Sequence, residues 1–138
     1  MKIQNFPAQI EHWESVLEFL ESNLEGSAMS AKMQFEIIVS AEEIFTNIAS
    51  YAYGTHTDKG ETVEISCGTT QDAAEFQIRF RDWGIAYNPL ERPDPDFNIP
   101  FEERRVGGLG IYMVKNFMDH VEYRYEDGCN IFTIGKKL

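Results

Sequence analysis

Several things are scarce in this sequence, and each scarcity excludes a class of protein. Cysteine occurs twice in 138 residues, at Cys67 and Cys129. Two cysteines make no disulfide framework, neither belongs to a Cys-x-x-Cys pair, and no His or Cys sits at metal spacing, so both read as strand packing residues. No apolar run approaches the ~20 residues that span a bilayer. Residues 1–6 lack the apolar stretch of a signal peptide, and the expectation is a cytoplasmic protein. Positive charge is also short: 12 Lys and Arg face 23 Asp and Glu, for a net charge of −11. That balance argues against nucleic acid, whose phosphates need a basic face, and against an anionic membrane surface. Repeats, low-complexity tracts and Gly/Ser-rich linkers are missing as well, which predicts one domain over residues 1–138.

What remains is a chain able to build a core. It is 43% hydrophobic and 13% aromatic, and a domain of this length buries about 70% of its unfolded surface. A long helical pattern starts near Pro7, with Ile10, Trp13, Leu17, Leu20 and Leu24 on one stripe, a row of glutamates beside it, and Gly26 at its end. Phe19 and Val16 lie off that stripe, which hints at a partner face. Ser30 is the expected N-cap of a second helix reaching about Tyr53. Residues 62–67 and 76–80 read as strands. The stretch 87–106 is rich in proline and charge, and a loop of that length in a compact domain is usually functional or disordered. A third helix opens at Gly107, and residues 121–125 and 129–134 close the chain as a hairpin around Asp127-Gly128. This order suits an α+β two-layer sandwich, with helices on one face of a mostly antiparallel mixed sheet.

Three segments carry candidate chemistry. On the second helix, at about 100° per residue, Glu36, Ser40, Glu43, Asn47 and Ser50 gather in one polar wedge, while apolar residues occupy most of the remaining circumference. Such a helix is buried on two sides, and its wedge either faces an internal cleft or is a solvated strip. Facing a cleft, Glu43 and Asn47 are i, i+4 neighbours that set a general base beside an oxygen ligand suited to Mg²⁺. Next, Asp82-Trp83-Gly84 follows a strand directly. It reads either as a strand-ending turn or as an Asp that accepts a hydrogen bond from an exocyclic amine such as that of adenine, with Gly84 admitting the ligand to the backbone. Finally, Gly107-Gly108-Leu109-Gly110 at a helix start, preceded by Arg104 and Arg105, is either a packing turn or a phosphate-binding N-terminus.

In order, the chain gives Glu-x-x-x-Asn on a helix, a strand ending Asp-x-Gly, a long loop and a Gly-x-Gly helix start. That order resembles the N, G1 and G2 boxes of the Bergerat-fold ATPases, over nearly the whole chain from about residue 30 to 137. Within that superfamily, Glu43 through Tyr53 and Gly108 through Asp119 look most like the bacterial anti-sigma-factor serine kinases. The resemblance implies ATP and Mg²⁺ as cofactors. It implies that Asn47 coordinates Mg²⁺, that Asp82 bonds the adenine amine, that the long loop is an ATP lid, and that Gly107, Gly108, Leu109 and Gly110 meet the phosphates. Glu43 would accept the proton of a substrate serine, and Arg105 or Arg104 would steady the transferring phosphoryl. Tyr51, where relatives often carry His, and Gly84 complete the nucleotide site, with Ala86 at the second glycine position of the G1 box. Gly128-Cys129-Asn130 stands where relatives carry Gly-Thr, without the threonine hydroxyl that assists adenine binding. The implied partners are an anti-sigma-factor antagonist as substrate, a sigma factor, and a second copy of the chain. The departures at Ala86 and Cys129 motivate the alternative of a nucleotide-gated, non-catalytic partner-binding module.

Overall fold

A computed structural model describes residues 1–53, 61–100 and 109–138. Its elements are β1 (Lys2–Pro7), α1 (Trp13–Leu24), α2 (Ala31–Asn47), β2 (Thr62–Thr69), β3 (Glu75–Asp82), α3 (Leu109–Phe117), β4 (His120–Glu126) and β5 (Cys129–Lys137). The strands form one sheet in the order β1-β2-β3-β5-β4, and every pairing is antiparallel. Among the described residues the class is α+β, with three α-helices and a five-stranded antiparallel sheet. The expected mixed character is not seen, because β1, which starts the chain, also runs antiparallel to its neighbour.

Period-two alternation explains how the two layers meet. Phe76, Ile78, Phe80 and Asp82 point one way from β3, and Phe132 and Ile134 do the same from β5. They join Val63, Ile65 and Cys67 of β2 under Ile37, Ala41, Ile44 and Phe45 of α2 and Ile111 and Val114 of α3. Burial pushes the Cys67 thiol up to about 11, as expected for a cysteine that serves as a small apolar packing residue. Cys129 is also buried and free. Among the described residues no helix is long and apolar enough to cross a membrane.

Local signals worked where the backbone itself demanded a residue. The Ser30 hydroxyl caps α2 by accepting from the Met33 amide at 3.2 Å. Asp127 and Gly128 take φ of 53° and 76°, the left-handed pair of a tight hairpin turn.

The N-terminal region differs from expectation. Residues 2–7 form an edge strand, with Phe6 opposite Val63, and Pro7 ends that strand instead of opening a helix. Proline is tolerated there because an edge strand's end needs no ladder donor. α1 therefore begins at Trp13, and Ile10 is 54% exposed. The strand also overturns the reading of Val16 and Phe19 as a partner face. Val16 is fully buried, and the Phe19 ring meets Phe6 edge-on at 5.6 Å. Six residues with little alternation carry no strand signal of their own; pairing with β2 supplies it.

Candidate nucleotide site

The site forms where the C-terminal end of α2 meets the ends of β3 and β5. After Asn47 the helix widens into a π-turn, Ile48–Ala52, a local distortion often found at functional positions. Two contacts stitch this turn to the end of β3. The Ile85 amide donates to the Ala52 carbonyl at 2.9 Å, and a Cβ on Gly84 would lie 2.0 Å from that same oxygen. Gly84 is thus required for the close approach of two backbones. Tyr53 adds a third tie: its hydroxyl donates to the Thr62 carbonyl at 2.6 Å and accepts from the Trp83 amide at 3.0 Å.

Between these elements lies a small pocket of about 50 Å³. Ile44, Ile48, Ala52, Ile85 and Phe132 supply its apolar walls, and Asn47, Tyr51, Tyr87 and Asp82 its polar groups. Asp82 is 4% exposed. Its Oδ1 accepts from the Gly84 amide and from Asn130 Nδ2, both at 2.9 Å. Burial pushes the Asp82 carboxyl above its ordinary range, and the bonds from Asn130 and Gly84 oppose the rise. Among the described residues Oδ2 accepts no hydrogen bond, which leaves an acceptor on the pocket wall for a ligand amine.

Asn130 is the site residue that motif reasoning missed. Its Nδ2 also donates to the Ile85 carbonyl at 2.9 Å, and its Oδ1 accepts from the Tyr123 hydroxyl at 2.5 Å and the Tyr87 amide at 3.1 Å. Every donor and acceptor of the amide is engaged, so Asn130 orients Asp82 and the loop after β3 together. The contact on Asp82 thus comes from an amide, one position past Cys129. In the pairing of β3 with β5, Asn130 stands opposite Asp82, on the same face as Phe132 and Ile134.

Glu43 stands one turn before Asn47, outside the lining of this pocket. Burial pushes the Glu43 pKa up, with the neighbouring Asn47 amide and the charge of Arg92 opposing. Gly110 of α3 lies directly against it, because a Cβ there would be 2.0 Å from Glu43 Oε1. The structure thus brings together Glu43, Asn47 and Gly110, and around the adjoining pocket Asn47, Tyr51, Asp82 and Gly84. Ala86 and Leu109 are exposed. Arg104, Arg105, Gly107 and Gly108 lie outside the described residues. The lower half of the α2 wedge is not part of the site: Glu36 pairs with Lys136, and Ser40 is fully buried.

The chain matches the histidine kinase-like ATPase domain family over residues 6–136. It is 28% identical over 105 residues to the serine/threonine-protein kinase BtrW of Bordetella bronchiseptica, covering 76% of this chain and 71% of that protein. It is also 28% identical over 95 residues to the serine-protein kinase RsbW of Bacillus cereus, covering 67% of this chain and 58% of that one. A crystal structure of the RsbU and RsbW domains of a Mycobacterium tuberculosis protein superposes with a TM-score of 0.64 at 15% identity, over all of this chain and 33% of that chain. This chain therefore spans little more than half of the Bacillus relative and a third of the M. tuberculosis chain. The chain belongs to the histidine kinase-like ATPase domain family.

Proposed function

We propose that this protein is a Mg-ATP-dependent protein-serine kinase of the anti-sigma-factor type. The observation that carries the reading is that Glu43 stands one turn before Asn47, which lines the same pocket as Asp82, with Gly110 directly against the Glu43 carboxylate. Adenine enters the apolar pocket and donates its amine to Asp82 Oδ2. The phosphates leave past Asn47 toward Gly110, which puts the γ-phosphate near Glu43. A serine hydroxyl presented by a partner protein gives its proton to the Glu43 carboxylate. Its oxygen forms the new bond to the γ-phosphorus as the bond to the β–γ bridging oxygen breaks, and ADP leaves. Such chemistry is mostly positioning and charge neutralisation.

The residues suit Mg²⁺. The side-chain oxygen of Asn47 would serve as one hard ligand. Among the described residues no group of three or more His, Cys, Asp or Glu gathers into a metal cage, which accords with an ion held by one side chain, phosphate oxygens and water. Bound there, Mg²⁺ supplies charge neutralisation along the phosphates. The substrate on this reading is an anti-sigma-factor antagonist, the second partner a sigma factor, and the working form a cytoplasmic homodimer.

The test is incubation with Mg-ATP and a candidate antagonist encoded beside the gene, with phosphoserine measured by mass spectrometry. Transfer is expected in the wild type and lost in Glu43→Ala, which still binds nucleotide. Nucleotide binding without transfer to any such antagonist would instead mark a non-catalytic, nucleotide-gated module.

A further inference from the structure

We propose that Arg92 is the cation that receives the phosphate chain of the bound nucleotide, held ready for it by the rings of Tyr51 and Tyr87. The proposal rests on the nucleotide reading above and adds a residue to it.

Arg92 follows a 3-10 turn, Pro89–Glu91, whose first residue is buried and whose start is capped by Asn88 Oδ1 accepting from the Leu90 amide at 2.9 Å. The Arg92 amide donates to the Pro89 carbonyl at 3.2 Å, so its backbone is fixed. The guanidinium carbon lies 5.9 Å from the Tyr51 ring centroid and 5.5 Å from that of Tyr87, and Nε donates to the Tyr87 hydroxyl. Those two tyrosines belong to opposite walls of the pocket, one from the end of α2 and one from the loop after β3. The guanidinium therefore bridges the rim. Its charge also reaches Glu43, where it opposes the effect of burial.

Stacking on aromatic faces consumes no N–H group. Only Nε is engaged, and the two Nη groups keep their donors in the fork geometry that meets phosphate oxygens in pairs. Four of the other cations are committed. Arg81 pairs with Glu64, Lys115 with Asp94, Lys136 with Glu36 and Arg124 with Glu126. Among the described residues Arg92 pairs with no carboxylate. In a chain of net charge −11, a cation with no carboxylate partner among the described residues, at the rim of a pocket lined by Asp82, is matched to an anion that comes from outside.

Calorimetric titration of the full chain with adenosine, ADP and Mg-ATP tests this, comparing wild type, Arg92→Gln and Arg92→Lys. Arg92→Gln is expected to weaken ADP and ATP by about tenfold to a hundredfold, the worth of a charge-assisted contact, with adenosine affinity changed by less than about twofold. Arg92→Lys, which keeps the charge and loses the fork, is expected to recover part of the loss. Equal weakening of adenosine and ATP would show that Arg92 only props the rim, and unchanged ATP affinity would show that it does not meet phosphate; either overturns the proposal while the nucleotide reading stands. A wild-type chain that binds none of the three overturns both.

Discussion

The polar stripe of α2 runs through two environments that use similar residues in opposite ways. At its N-terminal end, Glu36 meets Lys136 at 3.3 Å with both side chains largely buried, and Lys136 Nζ also donates to the Phe117 carbonyl at 2.5 Å. The carboxylate there is neutralised, and it ties α2 to β5 and to the end of α3. At the C-terminal end, Glu43 has no cation within ion-pair distance among the described residues. It has a neutral amide on one side and a glycine where any side chain would collide with it. One end closes the fold; the other keeps an unbalanced carboxylate beside open space. A glutamate whose charge is left uncompensated at a cost to stability marks a site more firmly than one whose charge is matched.

The largest expected effect breaks the open end. Glu43→Gln should lower phosphoryl transfer by about 10²- to 10⁴-fold, the usual worth of a positioned base, with nucleotide affinity retained. The same variant reads the cost of the carboxylate through pH. Burial raises the folded pKa above its ordinary value of 4.5. Between those two values the folded protein holds a proton the unfolded chain has lost, so stability is present below the window and declines as pH rises through it. Glu43→Gln should therefore melt higher than wild type at neutral pH, and the gap should close below about pH 4. Wild-type transfer should fall on acidification at a pH above the ordinary carboxylate range, since the base acts ionised. Equal melting of the two proteins at every pH would mean that Glu43 carries no such cost.

Next in size is Gly110→Ala, because the new methyl must displace the Glu43 carboxylate. Misplacing a base by about an ångström costs on the order of tenfold to a hundredfold in kcat, while adenosine binding, in a pocket that Gly110 does not line, should be unchanged. The closed end gives the contrasting result. Lys136→Met strands Glu36 without its cation, which should cost about 2 kcal/mol of stability and about 5 °C in Tm, with kcat per folded molecule unaltered. If Lys136→Met lowered kcat as much as Gly110→Ala does, the two ends would not be functionally distinct.

How far the sequence foretold this varies with the range of the interaction. The α2 cap at Ser30, the hairpin at Asp127-Gly128 and the alternation of Phe76, Ile78 and Phe80 are local, and all three are legible. β1 is not, because its partner β2 lies more than fifty residues away and its own alternation is weak. Glu43, Asn47 and Asp82 stand out through spacing and resemblance, but what orients them does not. Asn130 reaches Asp82 only through the register of β3 with β5. Arg92 lies in a proline-rich loop with no motif and becomes visible once Tyr51 and Tyr87 flank it. The polar wedge of α2 was legible as a pattern, yet its division into a structural and a functional half depends on Lys136 and Gly110, both remote in sequence.

Ser40, between the two ends, supplies the smallest and sharpest test of where that division falls. Its hydroxyl is fully buried and, among the described residues, has no hydrogen-bond partner. A hydroxyl in that state costs stability by roughly 1 to 3 kcal/mol, offset by the contacts its atoms make in the core. If it belongs to the closed end, Ser40→Ala removes an unsatisfied group and should raise Tm by about 1 to 4 °C, leaving transfer and nucleotide affinity as they were. If instead the hydroxyl turns toward Glu43 during the reaction, the variant would lose kcat while keeping its KM for ATP. The first outcome is favoured: Ser40 is fully buried and is not among the residues that line the pocket.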